Sequence, residues 1–214
     1  MELTAIGFVL LPLSLICMLR PGSLLRLALV ASAFGAAVPL IIQIGGEPFG
    51  LPASFLPALL FLVVAAPGYL AGKRQAAEGE ALRLVMPLLL FAAVAVAGAV
   101  ILPRLFAGEI MVWPQREVGF SAAVPLEPGG GNLTQSLYLA VNAAAVGIVA
   151  LYVTRPGVSP AGFVRAYLLS GYVVVALSLW QFANKHTGLY FPESFIYSNP
   201  RWAILTEQAT KPGS

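Results

Sequence analysis

Residues 84–106, LVMPLLLFAAVAVAGAVILPRLF, run for 23 positions with a single charged side chain, Arg104, near the end. At 1.5 Å per residue, a helix of that length covers roughly 35 Å, more than the ~30 Å of hydrocarbon in a bilayer. Five further apolar runs, at 4–19, 24–44, 51–71, 133–153 and 161–182, are bounded by charges, glycine or proline. In lipid every backbone polar group must find an internal partner, which leaves helices as the natural form for such runs. The pattern predicts an all-α fold, a polytopic membrane bundle of about six transmembrane helices.

Composition supports the same reading. Only 10% of the 214 residues are charged and 59% are hydrophobic, whereas a soluble domain carries about 25% charged residues. The balance is basic, +3, but the basic residues stand singly between apolar runs. They read as topology signals, so no nucleic-acid partner is expected. Cys17, the one cysteine, lies in an apolar run and has no second thiol to pair with. The first run is short, but "MELT" lacks a basic lead and "CMLRPG" is a poor cleavage site. It is read as a retained helix that turns tightly at "RPG".

The connections suggest an orientation. Arg20 and Arg26 flank the first; Lys73, Arg74 and Arg83 the third; Arg155 and Arg165 the fifth. Seven of the nine glutamates fall on the alternate connections and the ends. By the positive-inside rule the odd connections are cytoplasmic and both chain ends are extracytoplasmic. The expected organisation is a bundle over 1–182, with an irregular outer loop at 107–132. An interfacial aromatic segment and tail over 183–214 follows. The stretch 183–202 is expected to lie along the membrane surface as an ordered lid, because its rings hold a chain at the interface and "FPES" and "SNP" are turn sequences. Small residues four apart, Ala28/Ser32/Ala36, Gly68/Gly72 and Ala140/Ala144, allow close helix approach. Pro12, Pro39, Pro57 and Pro87 are expected as kinks within helices. Asn142 is expected to hydrogen-bond to a neighbouring helix.

The chemistry offered is sparse. The chain has no P-loop, GxGxxG, HExxH, CxxC or GxSxG pattern, and no aspartate. One histidine and one cysteine make a metal site within the chain unexpected. No ionisable residue lies near the middle of a run, which disfavours a pump or proton relay. The expected outer face carries Arg104, Arg116, Lys185, His186, Glu193 and Arg201. Arginines at a membrane surface suit a lipid-linked diphosphate, since the guanidinium fork donates paired hydrogen bonds; Arg104, Arg116 and Arg201 are the candidates. His186 is the candidate for removing a proton from a sugar hydroxyl, the usual work of an imidazole near neutral pH. Tyr190, Tyr197 and Trp202 are candidates for contact with sugar rings. For each, the plainer alternative is an interfacial anchor or a solvated side chain.

The opening LTAIGFVLLPLSLICMLRPGSLLRLALVASAFGAAVPL resembles the N-terminal hairpin of bacterial O-antigen polymerase/ligase-like membrane proteins. So do LPRLFAGEIMV, NLTQSLYLAVN and SGYVVVALSLWQFANKHTGLYFPESFIYSNP. The resemblance implies a multi-pass protein of the bacterial cytoplasmic membrane that helps transfer a polyprenyl-diphosphate-linked glycan to an acceptor hydroxyl, as a glycosyltransferase without metal or other cofactor. Family members are about twice this long, with their catalytic Arg and His further on. The resemblance therefore covers an N-terminal half, expected to be catalytically incomplete alone and completed by a C-terminal half or a partner membrane subunit. A non-catalytic membrane subunit packing against a partner is the alternative.

Overall fold

The computed structural model describes residues 2–44, 47–70, 76–113 and 123–198. They are mostly helical, in two compact units: Met1–Lys73 with Arg155–Ser214, and Arg74–Thr154.

The first unit begins with a two-residue strand, β1 (Glu2–Leu3), and helix α1 (Ala5–Cys17). Thr4 caps α1: its hydroxyl accepts from the Gly7 amide at 3.3 Å and donates to the Val38 carbonyl. The RPG turn places proline at the first position of α2 (Pro21–Ala31), where its missing N–H costs nothing. The expected 24–44 helix does not form. A short 3-10 turn ends at Phe34, and residues 40–44 form strand β2, antiparallel to both β1 and β3 (Glu47–Leu51). The physical reason is local. A residue before proline is driven to extended backbone, here Val38 before Pro39, and Ile41, Ile42 and Ile44 are β-branched. Pro39 is thus a helix terminator rather than the expected kink.

Helix α3 (Phe55–Leu70) follows, then α6 (Pro160–Thr187) and the single turn α7 (Glu193–Ile196) after the second unit. Helix α2 packs against both α3 and α6. The α2–α6 seam uses small residues as expected: Ala28 is buried and the Ser32 and Ser170 hydroxyls lie 3.1 Å apart. The core joins Ile6, Leu10, Ala31, Ala37 and Ala53, with Leu56 and Phe195 packed against it. Leu24 and Phe61 are fully buried. Helices α1, α2 and α3 have 13, 11 and 16 residues, or about 17–24 Å at the standard rise. Helix α6 has 28 residues, roughly 42 Å.

The second unit pairs α4 (Ala76–Leu105) with α5 (Gly130–Val153). Ala92 and Ala143 are buried, and Gly147 faces Leu89. Asn142 is exposed and makes no hydrogen bond among the described residues, so the expected interhelical bond is absent from them. Part of the outer loop is ordered as a ladder rather than irregular, with β4 (Met111–Val112) antiparallel to β5 (Val124–Pro125). Three helices are long and apolar enough to cross a membrane: Ala77–Leu105, Gln135–Val153 and Pro160–Thr187. By length and composition these point to a membrane protein, and most of their side chains are exposed.

Candidate functional site

Helix α6 runs to Thr187, past the end expected at 182, so Trp180 and Phe182 lie inside it. Gly188 then reverses the chain in the left-handed conformation, φ +73°, which glycine adopts without a Cβ penalty. Lys185 and His186 occupy the last turn, where positive charge suits the helix dipole. The returning segment is tied back to α6. The Trp180 indole donates to the Tyr190 carbonyl at 2.8 Å, and the Asn184 amide donates to the Leu189 carbonyl. Phe191 packs edge-on to Trp180, with ring centroids 5.5 Å apart, and is buried. Phe195 reaches the core, and the Ser198 hydroxyl accepts from the Val38 amide at 3.0 Å.

Residues 188–198 are therefore ordered against their unit, as a lid would be. Residues 199–202 of the expected lid lie outside the described residues. The fold-back leaves a groove of about 130 Å³ between α6, the end of α2 and the returning segment. Phe34, Leu177, Phe191 and Ile196 supply apolar wall; Ser178, Gln181 and Tyr197 supply polar groups. The groove is smaller than the ~300–1,000 Å³ usual for a small-molecule site, so it would hold no more than part of a ligand.

The structure distributes the sequence candidates unevenly. His186, Tyr190 and Tyr197 come to the same end of one unit. His186 is exposed and lies over Phe182, one turn earlier, with ring centroids 4.2 Å apart. Tyr197 lines the groove, whereas Tyr190 stands 76% exposed outside it. Arg104 belongs to the other unit, where its guanidinium donates to the Val100 carbonyl of its own helix at 2.8 Å. Arg116, Arg201 and Trp202 lie outside the described residues. No cluster of three His, Cys, Asp or Glu side chains that could hold a metal occurs among the described residues.

Sequence reasoning missed Ser178 and Gln181. They sit with Val174 and Leu177 at helical spacing on one face of α6, a signal that was available. It also missed the Arg155 guanidinium stacked 3.8 Å from the centre of the Tyr69 ring, a pairing of residues far apart in the chain. No family model, curated protein or solved structure matches this chain.

Proposed function

We propose that this chain is a multi-pass component of surface-polysaccharide assembly in the bacterial cytoplasmic membrane. In this reading it forms part of the cavity in which a lipid-diphosphate-linked glycan meets its acceptor. The observation that carries the reading is the fold-back at Gly188. It packs the aromatic stretch that most resembles O-antigen polymerases and ligases into an ordered cover beside a small groove with polar side chains. Exposed Tyr190 and groove-lining Tyr197 offer ring faces to sugar. The reaction is attack of an acceptor hydroxyl oxygen on the anomeric carbon. The bond from that carbon to the diphosphate oxygen breaks, the diphosphate leaves with its electron pair, and a base takes the hydroxyl proton. The reaction needs a cation for the leaving group and a base for the proton; the sequence offers Arg104 and Arg116 as candidates for the first and His186 for the second.

The test replaces the gene in its own cells. Deletion should remove surface glycan and accumulate its lipid-linked precursor. Tyr190→Leu with Tyr197→Leu keeps apolar bulk and should lower glycan yield at unchanged protein level. Arg104→Lys and Arg116→Lys should each lower it as well, because a point charge replaces a bidentate fork. Undiminished surface glycan after deletion would overturn the reading. A second reading, a non-catalytic subunit, is favoured by the setting of His186: it is exposed and, among the described residues, its one ring contact is Phe182. Glycan lost on deletion but unaffected by all four substitutions and by His186→Ala selects that reading.

A further inference from the structure

Within the first unit, charge is separated along the helices. Arg20 precedes α2, Arg26 and Arg165 lie in the second turns of α2 and α6, and Arg155 stacks on Tyr69 near the C-terminus of α3. The described glutamates of that unit, Glu2, Glu47 and Glu193, stand at the other end, on β1, β3 and α7. The described structure records no ion pair to any of the four arginines.

Two of these arginines converge. Helices α2 and α6 run parallel: Gly162 lies beside Arg26, and Ser170 beside Ser32. A Cβ at Gly162 would lie 3.9 Å from the Arg26 Cδ, ordinary van der Waals contact, so the arginine stem lies against this turn of α6. Arg26 Nε donates to the Gly22 carbonyl at 3.1 Å, which orients the guanidinium and leaves its Nη groups to other acceptors. Arg165 follows Gly162 by three residues, hence on the same face of α6 one turn further, and is exposed. Neither Arg20 nor Ser159 caps its helix with a side-chain hydrogen bond. Around this end, Val164, Tyr167 and Leu168 are exposed apolar surface of a helix long enough to span a membrane.

We propose that this end of the first unit binds the headgroup of an anionic phospholipid, its phosphate held between Arg26 and Arg165. Charge selects an anion, and a planar guanidinium pair matches phosphate oxygens. The adjoining apolar surface selects an anion that carries acyl chains, because it would be solvated poorly beside a nucleic acid or a free ion. The site lies at the end of the unit opposite the groove, and it depends on neither the glycan reading nor the membrane orientation.

The experiment uses the full chain in nanodiscs of phosphatidylcholine doped with phosphatidylglycerol, with retained lipid counted by native mass spectrometry. Wild type should retain phosphatidylglycerol in preference to phosphatidylcholine. Arg26→Gln and Arg165→Gln should each lower that retention at least about tenfold, the effect of losing a charge-assisted hydrogen bond to phosphate. Arg83→Gln removes the same charge from an exposed position on α4 and should lower retention by no more than about fivefold, the effect of any one basic residue at an anionic surface. Equal losses in all three variants would show a net-charge effect and overturn the site. So would retention unchanged in the first two, or displacement of the lipid by inorganic phosphate at equal concentration. Should Arg26→Gln fail to fold, Arg165→Gln decides alone, because that side chain makes no contact the fold requires.

Discussion

Gly7 sits where α1 meets the sheet, and the structure leaves it no room for a side chain. A Cβ placed there would lie 2.1 Å from the Pro39 carbonyl oxygen and 2.8 Å from Leu3 Cδ1. Reaching even 3.0 Å, a distance real Cβ atoms essentially never undercut, requires a shift of 3.0 − 2.1 = 0.9 Å in backbone rather than in a pliable side chain. The same carbonyl accepts from the Thr4 amide at 3.2 Å, and Thr4 also bonds Val38 and caps α1. Gly7→Ala therefore adds overpacking, about 1–3 kcal/mol, to the loss of one or two hydrogen bonds at about 1 kcal/mol each. A loss of about 2 kcal/mol raises the unfolded fraction roughly 30-fold. Cys17, partly buried near the end of α1, reports the event: a fluorogenic maleimide reacts with it as the unit opens on heating in detergent. Two comparisons fix the interpretation. Gly50→Ala meets the Val38 side chain at 2.6 Å, and because that valine is β-branched and fully buried the overpacking costs about 1–3 kcal/mol. Gly171→Ala meets nothing within 4 Å and should stabilise its helix by up to about 1 kcal/mol. The expected order of transition temperature is Gly171→Ala, wild type, Gly50→Ala, Gly7→Ala. A Gly7→Ala protein that opens at the wild-type temperature would refute the packing argument.

The fold-back at the end of α6 and the orientation each make a further prediction. Gly188→Ala places a side chain at φ +73°, which costs about 1–2 kcal/mol, and Trp180→Phe removes the bond to the Tyr190 carbonyl. Both should speed amide exchange over 189–197 while leaving α4 and α5 unchanged; exchange already rapid in wild type would show that the cover is not held. With Cys17 replaced, cysteines at Glu47 and Glu193 should react with an impermeant thiol reagent in intact cells, and one at Ser159 should not; labelling at Ser159 alone would invert the proposed orientation.

Apolar length made α4, α5 and α6 legible in the sequence, because hydrocarbon sets how many residues a crossing needs. It misled at 24–44. A run of apolar residues does not distinguish a helix from a strand buried among neighbours. The deciding signals were Val38–Pro39 and the isoleucines of LIIQI, which local backbone preference reads and hydropathy ignores. The ladder inside 107–132 escaped for the opposite reason: its strands are two residues long, and pairing across the loop depends on distant chain. At the candidate site, the aromatic stretch pointed to the C-terminal end of α6, where the groove lies. The groove did not follow from it, because Ser178 and Gln181 become walls only once Gly188 turns the chain back over them. The Tyr69–Arg155 stack belongs to the same class of fact, set by which helices pack and invisible in either segment alone.

The short helices bear on the shape of the surrounding bilayer. Strand β1 is an edge of the sheet, and open sheet edges do not occur against hydrocarbon, which suits this end of the unit to a membrane surface. Helix α1 runs from there for 13 residues, about 20 Å, roughly 10 Å short of a ~30 Å hydrocarbon layer. Phe8, Val9, Leu15 and Ile16 are exposed along α1. Lipids against that flank meet a low wall, while those against the 28 residues of α6 meet a tall one. A bilayer that took up α1 from this end would have to thin beside it, and the expectation is that thin bilayers accommodate the protein with less strain than thick ones.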